Sequence, residues 1–432
     1  MNTGLSTKNA PSASVVLPHY IYGAVAFLVV SIMMYFSAAN LTNMYIGPSI
    51  LGLTHMAVLG WVTMLIFGAL YQLIPVVMEV KLHSENMSYF SFASLGIGNI
   101  VLVSGFWQTY TSPTLFSLIG GILVFLAIIV FAINVIGTAI KSPVKSTENN
   151  FIIASIFWLL TTVFIGLFVL FNNKYQFVSI SPLDILKAHA ASGLIGWFMM
   201  LVIGVSSTLL PMFFIVHNLN KKFINASFYV TNIGLAVYVV SSLFNISPWL
   251  NIAAIISVFI GVFLYARYNY DAYKRRLRKK LDVGMKLSVV SFIYLAISVI
   301  SGLTLVFVSS FYLQIMVSLF IVFGFSLVLG FFTSLILGQM YKTLPFIVWL
   351  AKYQDKVGKF KTPLPADLYS EKVAEGHYYS FVLGSALAIA GILFSVELLI
   401  KIASVAYGIT ALLYLYNTLK IVSLKENLKP LK

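Results

Sequence analysis

The feature that most constrains this chain is the length of its apolar runs. About 20 consecutive apolar residues, wound as a helix, cross a hydrocarbon layer of roughly 30 Å, and this sequence offers twelve such runs. They read as 19–41, 50–78, 88–109, 115–139, 151–172, 184–216, 226–245, 249–267, 286–309, 314–350, 378–400 and 403–420. In lipid each backbone N–H and C=O needs a partner inside the protein, so the runs must be helices rather than open strands. Composition agrees: 60% of the residues are hydrophobic and only 9% charged, against about a quarter charged in soluble domains. The expected class is an all-α integral membrane protein with twelve transmembrane helices.

The net charge of +15 is a matter of sidedness. Only Lys174, Lys187 and Lys401 fall in or beside the odd-numbered gaps between runs, while the rest, including the KRRLRKK stretch at 274–280 and the loop 351–377, lie on the opposite side. The positive-inside rule then places both termini in the cytoplasm of a multi-pass cell-membrane protein whose constant partner is the lipid bilayer. The basic stretch suits anionic headgroups, but topology alone accounts for it. No nucleic-acid motif or phosphate-binding glycine loop is visible, so nucleic acid is not an expected partner. With no cysteine, disulfides, thiolate-bound zinc, iron–sulfur clusters and thiol catalysis are excluded. Residues 1–15 lack the charged-then-apolar pattern of a cleaved signal, so the first run is expected to stay as an anchor.

Three runs share one pattern. The second reads GWVTMLIFGALYQLIP (Gly60, Gly68, Pro75), the sixth GWFMMLVIGVSSTLLP (Gly196, Gly204, Pro211) and the tenth GFFTSLILGQMYKTLP (Gly330, Gly338, Pro345). Each is glycine, aromatic, three residues, Leu, two residues, glycine, six residues, proline, without a gap. Three ungapped copies four runs apart predict internal repetition. Because the period is an even number of spans, the copies are parallel, related about the membrane normal. The expectation is three four-helix arcs, 1–145, 146–282 and 283–432, in a pseudo-threefold ring with the second, sixth and tenth helices nearest the axis. At 100° per residue the paired glycines stand some 80° apart on one side of each helix, suited to close contact.

Of the six histidines, His19 is expected at the start of the first helix, and His83, His217 and His377 in or beside loops, all four in surface or interface roles. His55 and His189 sit one to two turns inside long apolar runs, where an ionisable group is costly and functional by default. The ordinary alternative is a neutral imidazole bonded to a backbone carbonyl or a hydroxyl. His55 lies five residues before its repeat glycine and His189 seven before its own, so their directions differ by about 160° in a common helix frame. Two related helices could thus each aim an imidazole into the space between them, and a pair of neutral imidazoles is a common axial set for low-spin haem iron. Trp61 and Trp197 are candidate packing partners for the ring. Asp184 and Lys187 are an i,i+3 pair or simply solvated at the interface, and Glu397 with Lys401 is an orienting ion pair near the end of the eleventh helix. Tyr71, Gln72, Gln339 and Tyr341 are expected to bond between helices, or to line a polar route from the cytoplasm.

The stretches LTHMAVLGWVTMLIFGALYQLIP, its sixth-helix counterpart and the TLPFIVWLAKY exit from the tenth helix resemble subunit I of the haem–copper oxidases. Among these the small relatives of the oxygen and nitric oxide reductases look nearest, with NnrS-like haem proteins of denitrifiers further away. The resemblance implies twelve helices in three arcs and a haem b. Where that family carries a His-x-His pair on the tenth helix, this chain reads Phe323-Gly324-Phe325. The seventh helix, FYVTNIGLAVYVVSSLF, has no histidine, and His189 is followed four residues later by Gly193 rather than tyrosine. A binuclear oxygen-reducing centre and copper are therefore not supported. The implied function is electron transfer, or the handling of nitric oxide or haem, with a redox partner or additional membrane subunit. A small-solute transporter or channel, or a cofactor-free assembly subunit, are the other classes.

Overall fold

The computed structural model describes residues 9–108, 113–143, 146–307 and 313–424. Within them, twelve helices are long and apolar enough to cross a membrane. They are α1 (Ala13–Phe36), α2 (Pro48–Val77), α3 (Glu85–Trp107), α4 (Leu115–Ala139), α5 (Thr147–Tyr175) and α6 (Pro182–Phe214), then α7 (Lys222–Leu243), α8 (Pro248–Lys274), α9 (Val283–Val306), α10 (Ile315–Lys356), α11 (Glu371–Leu393) and α12 (Glu397–Val422). The order matches the apolar runs; some ends move. Helix α1 starts before Pro18 and includes it, and α11 starts at Glu371 behind the Ser370 cap, whose side chain accepts from the Val373 N–H. Both first turns carry polar residues on the outward face, so hydropathy alone starts the helix too late. The residues from Glu397 begin α12, so the Glu397–Lys401 pair (2.6 Å) belongs to that helix and not to the end of α11. The expected arc boundary at 145/146, the first eight residues and those from 425 onward fall wholly or partly outside the described residues.

Helices α2, α6 and α10 each contain a π-helical stretch: Met56–Thr63, Ser192–Met199 and Ser326–Phe332. Each begins four residues before its repeat glycine (Gly60, Gly196, Gly330). A π turn bonds i to i+5, so the step between paired glycines is not a uniform 100° per residue, and the 80° separation taken from an ideal α-helix does not hold. The paired glycines nevertheless meet one neighbouring helix. A Cβ on Gly196 would lie 2.5 Å from the Trp158 Cβ and one on Gly204 2.5 Å from the Phe151 Cβ, both on α5. On α10, Gly330 meets Tyr294 and Gly338 meets Gly284 and Leu287, all on α9.

The second glycine of each pair makes the same kind of contact in all three helices. Gly68 rests on the Val16 carbonyl and the His19 Cβ, Gly204 on the Glu148 carbonyl and the Phe151 Cβ, and Gly338 on the Gly284 carbonyl and the Leu287 Cβ. In each case carbonyl and Cβ come from residues three apart on the preceding helix. The outer hairpins repeat too. Gly98 of α3 sits against the Gly120 carbonyl of α4, Gly234 of α7 against the Ala254 carbonyl of α8, and Gly384 of α11 against the Ala403 carbonyl of α12, at 3.0–3.2 Å from where a Cβ would be. Lipid supplies no hydrophobic drive between helices, so close packing through small residues holds them together.

Two compact units divide the chain. One comprises residues 74–105 and 111–280, hence α3–α8; the other comprises 10–73, 106–110 and 281–432, hence α1, most of α2 and α9–α12. In the first, the Trp158 indole donates to Asn232 Oδ1 (2.9 Å), and Tyr268 donates to the Ser207 carbonyl (3.0 Å). In the second, Trp61 is fully buried, stacked on Phe27 at 4.5 Å, with its indole N–H on Thr333 Oγ1 (3.1 Å). Thr333 in turn donates to the Val328 carbonyl, and Tyr407 to the Leu329 carbonyl (3.0 Å), supplying partners along the π stretch of α10. The connection after α10 folds back on its own helix: the Trp349 indole donates to the Pro363 carbonyl (2.7 Å) and Leu368 is buried.

Candidate functional site

His55 is the last residue of the α-helical part of α2 before its π stretch. It is half-buried, with its ring 4.9 Å from that of Phe106. Its Nδ1 lies 2.8 Å from the Leu51 carbonyl, one turn back on the same helix. A carbonyl only accepts, so Nδ1 carries the proton and the lone pair is on Nε2. His189, in the corresponding α-helical part of α6, is also half-buried and repeats this chemistry with a different partner. Its Nδ1 lies 2.9 Å from the Thr162 carbonyl of α5. The ring rests over Gly166, where a Cβ would come within 2.7 Å of Cε1. The bland role foreseen for both, an imidazole on a backbone carbonyl, is therefore realised at Nδ1. His55 belongs to one compact unit and His189 to the other.

The tautomer is the one a ligating imidazole needs. A metal-bound histidine commonly donates its other ring N–H to a carbonyl or carboxylate, which holds the ring and makes the ligating nitrogen more basic. The donor chemistry of His55 and His189 thus fits axial ligation of haem iron through Nε2. Among the described residues no three His, Asp or Glu side chains gather in one place. The tryptophans after the repeat glycines are each engaged within their own unit. Trp61 stacks on Phe27, and Trp197 lies edge-on to Phe131 at 6.2 Å.

Two histidines assigned to surface roles are buried, and this corrects the sequence reading. His19 is 1% exposed, with its Cβ over Gly68 and its ring edge-on to Tyr71 at 5.6 Å. Phe151 and Leu287 meet Gly204 and Gly338 in the same way, so His19 occupies a packing position. His377 is fully buried in α11 and bonds the Tyr341 hydroxyl at 2.8 Å. The signal for it was the burial pattern Ala374, His377, Phe381, at steps of three and four, behind the serine cap. His83 and His217 are exposed, as expected.

Asp184 and Lys187, for which interfacial solvation was the first expectation, pair at 2.9 Å while staying partly exposed. Gln339 donates to Ser288 Oγ (2.8 Å), and Asn417 donates to the Tyr341 hydroxyl (3.2 Å). An ion pair on a buried carboxylate escaped the sequence reading: Glu148, at the start of α5, accepts from the exposed Lys221 at 2.7 Å.

No protein family and no characterised protein matches the chain in sequence. Among solved structures, the fold is similar to a chain in the cryo-EM structure of a haem–copper terminal oxidase dimer, with a TM-score of 0.65 and 12% identity over 96% of this chain and 85% of that one. At that identity the likeness is one of fold: a polytopic, all-helical membrane protein built like a haem–copper oxidase chain.

Proposed function

We propose that this protein binds haem in the membrane and serves electron transfer, or the handling of nitric oxide or of haem itself, without a binuclear oxygen-reducing centre. The observation that carries this reading is the shared state of His55 and His189. Each holds its Nδ1 proton on a backbone carbonyl and keeps its lone pair on Nε2. Leu51 and Thr162 thereby orient the two imidazoles and raise their basicity. A b-type haem with two imidazole ligands would supply low-spin, one-electron chemistry. The chain's part is to present two neutral nitrogens and to shield them from water. On the resemblance, Phe323 and Phe325 take the places of the family's tenth-helix pair, and α10 offers no imidazole to compete. The three-arc arrangement about the membrane normal, with cytoplasmic termini, belongs to the same proposal, and the contacts shared by Gly68, Gly204 and Gly338 support it.

The test is an absorption spectrum of protein purified from haem-replete cells. A Soret band with sharp reduced α and β bands is expected. His55→Ala and His189→Ala should each abolish the low-spin spectrum or convert it to a five-coordinate one. A colourless protein, or two single variants with the wild-type spectrum, ends the assignment.

A further inference from the structure

His377 takes no part in the haem reading. It lies two turns into α11, fully buried, with Nε2 lacking a hydrogen-bond partner among the described residues while Nδ1 meets the Tyr341 hydroxyl. Which nitrogen holds the proton follows from the bonds behind it. The Ser370 backbone N–H can only donate, and it donates to Asn417 Oδ1 at 2.9 Å. That fixes the amide, whose Nδ2 then donates to the Ser370 carbonyl and to the Tyr341 oxygen, both at 3.2 Å. With its oxygen already accepting from Asn417, Tyr341 turns its single proton to His377 Nδ1. A neutral imidazole that accepts at Nδ1 carries its proton on Nε2.

The outcome is a buried N–H with no acceptor, a state native interiors rarely keep. The ring is stacked on Tyr341 at 5.4 Å and edge-on to Tyr414 at 6.3 Å. Tyr414 Oη and Thr418 Oγ1, one turn apart on α12, are also buried and lack a hydrogen bond of standard geometry among the described residues. What these groups share is the need for an oxygen that accepts and can itself donate. The hydrogen-bonding members of the cluster, Ser370, Asn417, Tyr341 and His377, carry no fixed charge, which suits a neutral ligand over an ion. We infer that water binds at His377 Nε2, making this an internal hydration site through which the His377–Tyr341 pair exchanges protons with bulk solvent. Polar, buried and otherwise unsatisfied surroundings are where structural water is held.

Gly376-His377 is the one Gly-His step in the sequence, so carbonyl-13C glycine with 15N-histidine labelling marks this residue without a mutation. In the full chain in lipid nanodiscs, solid-state NMR should find Nε2 protonated, Nδ1 unprotonated and a water cross-peak at Nε2. The Nε2–H signal should be lost on transfer to D2O. A proton on Nδ1 overturns the inference, as does an Nε2–H signal that survives in D2O after that of exposed His217 has gone. Tyr341→Phe removes the donor to Nδ1 and should shift the Nδ1 signal while keeping the water cross-peak; an unmoved Nδ1 signal refutes the bond order on which the inference stands.

Discussion

Gly204 and Ile215 show what single residues contribute to α6. Gly204 lets the backbone approach α5 so closely that an added Cβ would meet the Phe151 Cβ at 2.5 Å and the Glu148 carbonyl at 3.3 Å. Neither is the free end of a flexible side chain, so the helices must part. Gly204→Val should destabilise the protein by about 1–3 kcal/mol, the usual cost of overpacking, seen as a lower thermal midpoint in detergent. Ile215 caps the same helix at φ 57 and ψ 56, a left-handed conformation that costs a β-branched residue about 1–3 kcal/mol. Its side chain is 47% exposed, so little packing would be lost. Ile215→Gly should therefore raise the midpoint; a fall would show that the isoleucine makes a contact worth more than its strain.

At the scale of elements, two asparagines do the same work in different helical hairpins. Asn134 of α4 accepts from the Ser84 N–H (2.9 Å) and donates to the Ser84 carbonyl (2.8 Å), just before α3 begins. Asn417 of α12 does this to Ser370, just before α11. Each clamp ties the entry of a hairpin's first helix to the end of its second, and satisfies backbone groups that would otherwise be stranded. Asn134→Ala should cost about 1–3 kcal/mol, the price of leaving buried backbone groups unpaired. It should also speed amide hydrogen exchange at Ser84 and the first turn of α3, leaving the start of α11 unchanged. Uniform acceleration at both places would mean global loosening instead. The serines and asparagines were visible in the sequence, but their pairing was not, because their separation depends on how far the hairpin runs before it turns back.

For the whole molecule, the lack of native cysteine makes sidedness directly measurable. Single cysteines at Lys279 and Lys361 should label with a membrane-impermeant maleimide from the cytoplasmic side only. A cysteine at Ser247, between α7 and α8, should label from the opposite side only. Labelling of Lys279 and Ser247 from the same side would refute the topology drawn from charge. The compact units cut across the proposed arcs, since α1 and α2 associate with α9–α12. Repetition in sequence therefore marks equivalent packing rather than separable bodies.

What the sequence determined by itself was the number of spans, their order and the register of the glycine repeat, because those follow from the solvent: lipid demands long apolar helices and small residues where they touch. It also singled out His55 and His189 by depth. Only the tertiary structure decided which nitrogen of each imidazole holds the proton, since Leu51 is a neighbour along the helix but Thr162 comes from another one. It alone revealed the π stretches, where partners such as Thr333 and Tyr407 reach backbone carbonyls from outside the local hydrogen-bond ladder. It moved His19 and His377 indoors as well. A helix end is set by caps and by which face of its first turn is covered, and hydropathy along the chain is blind to both.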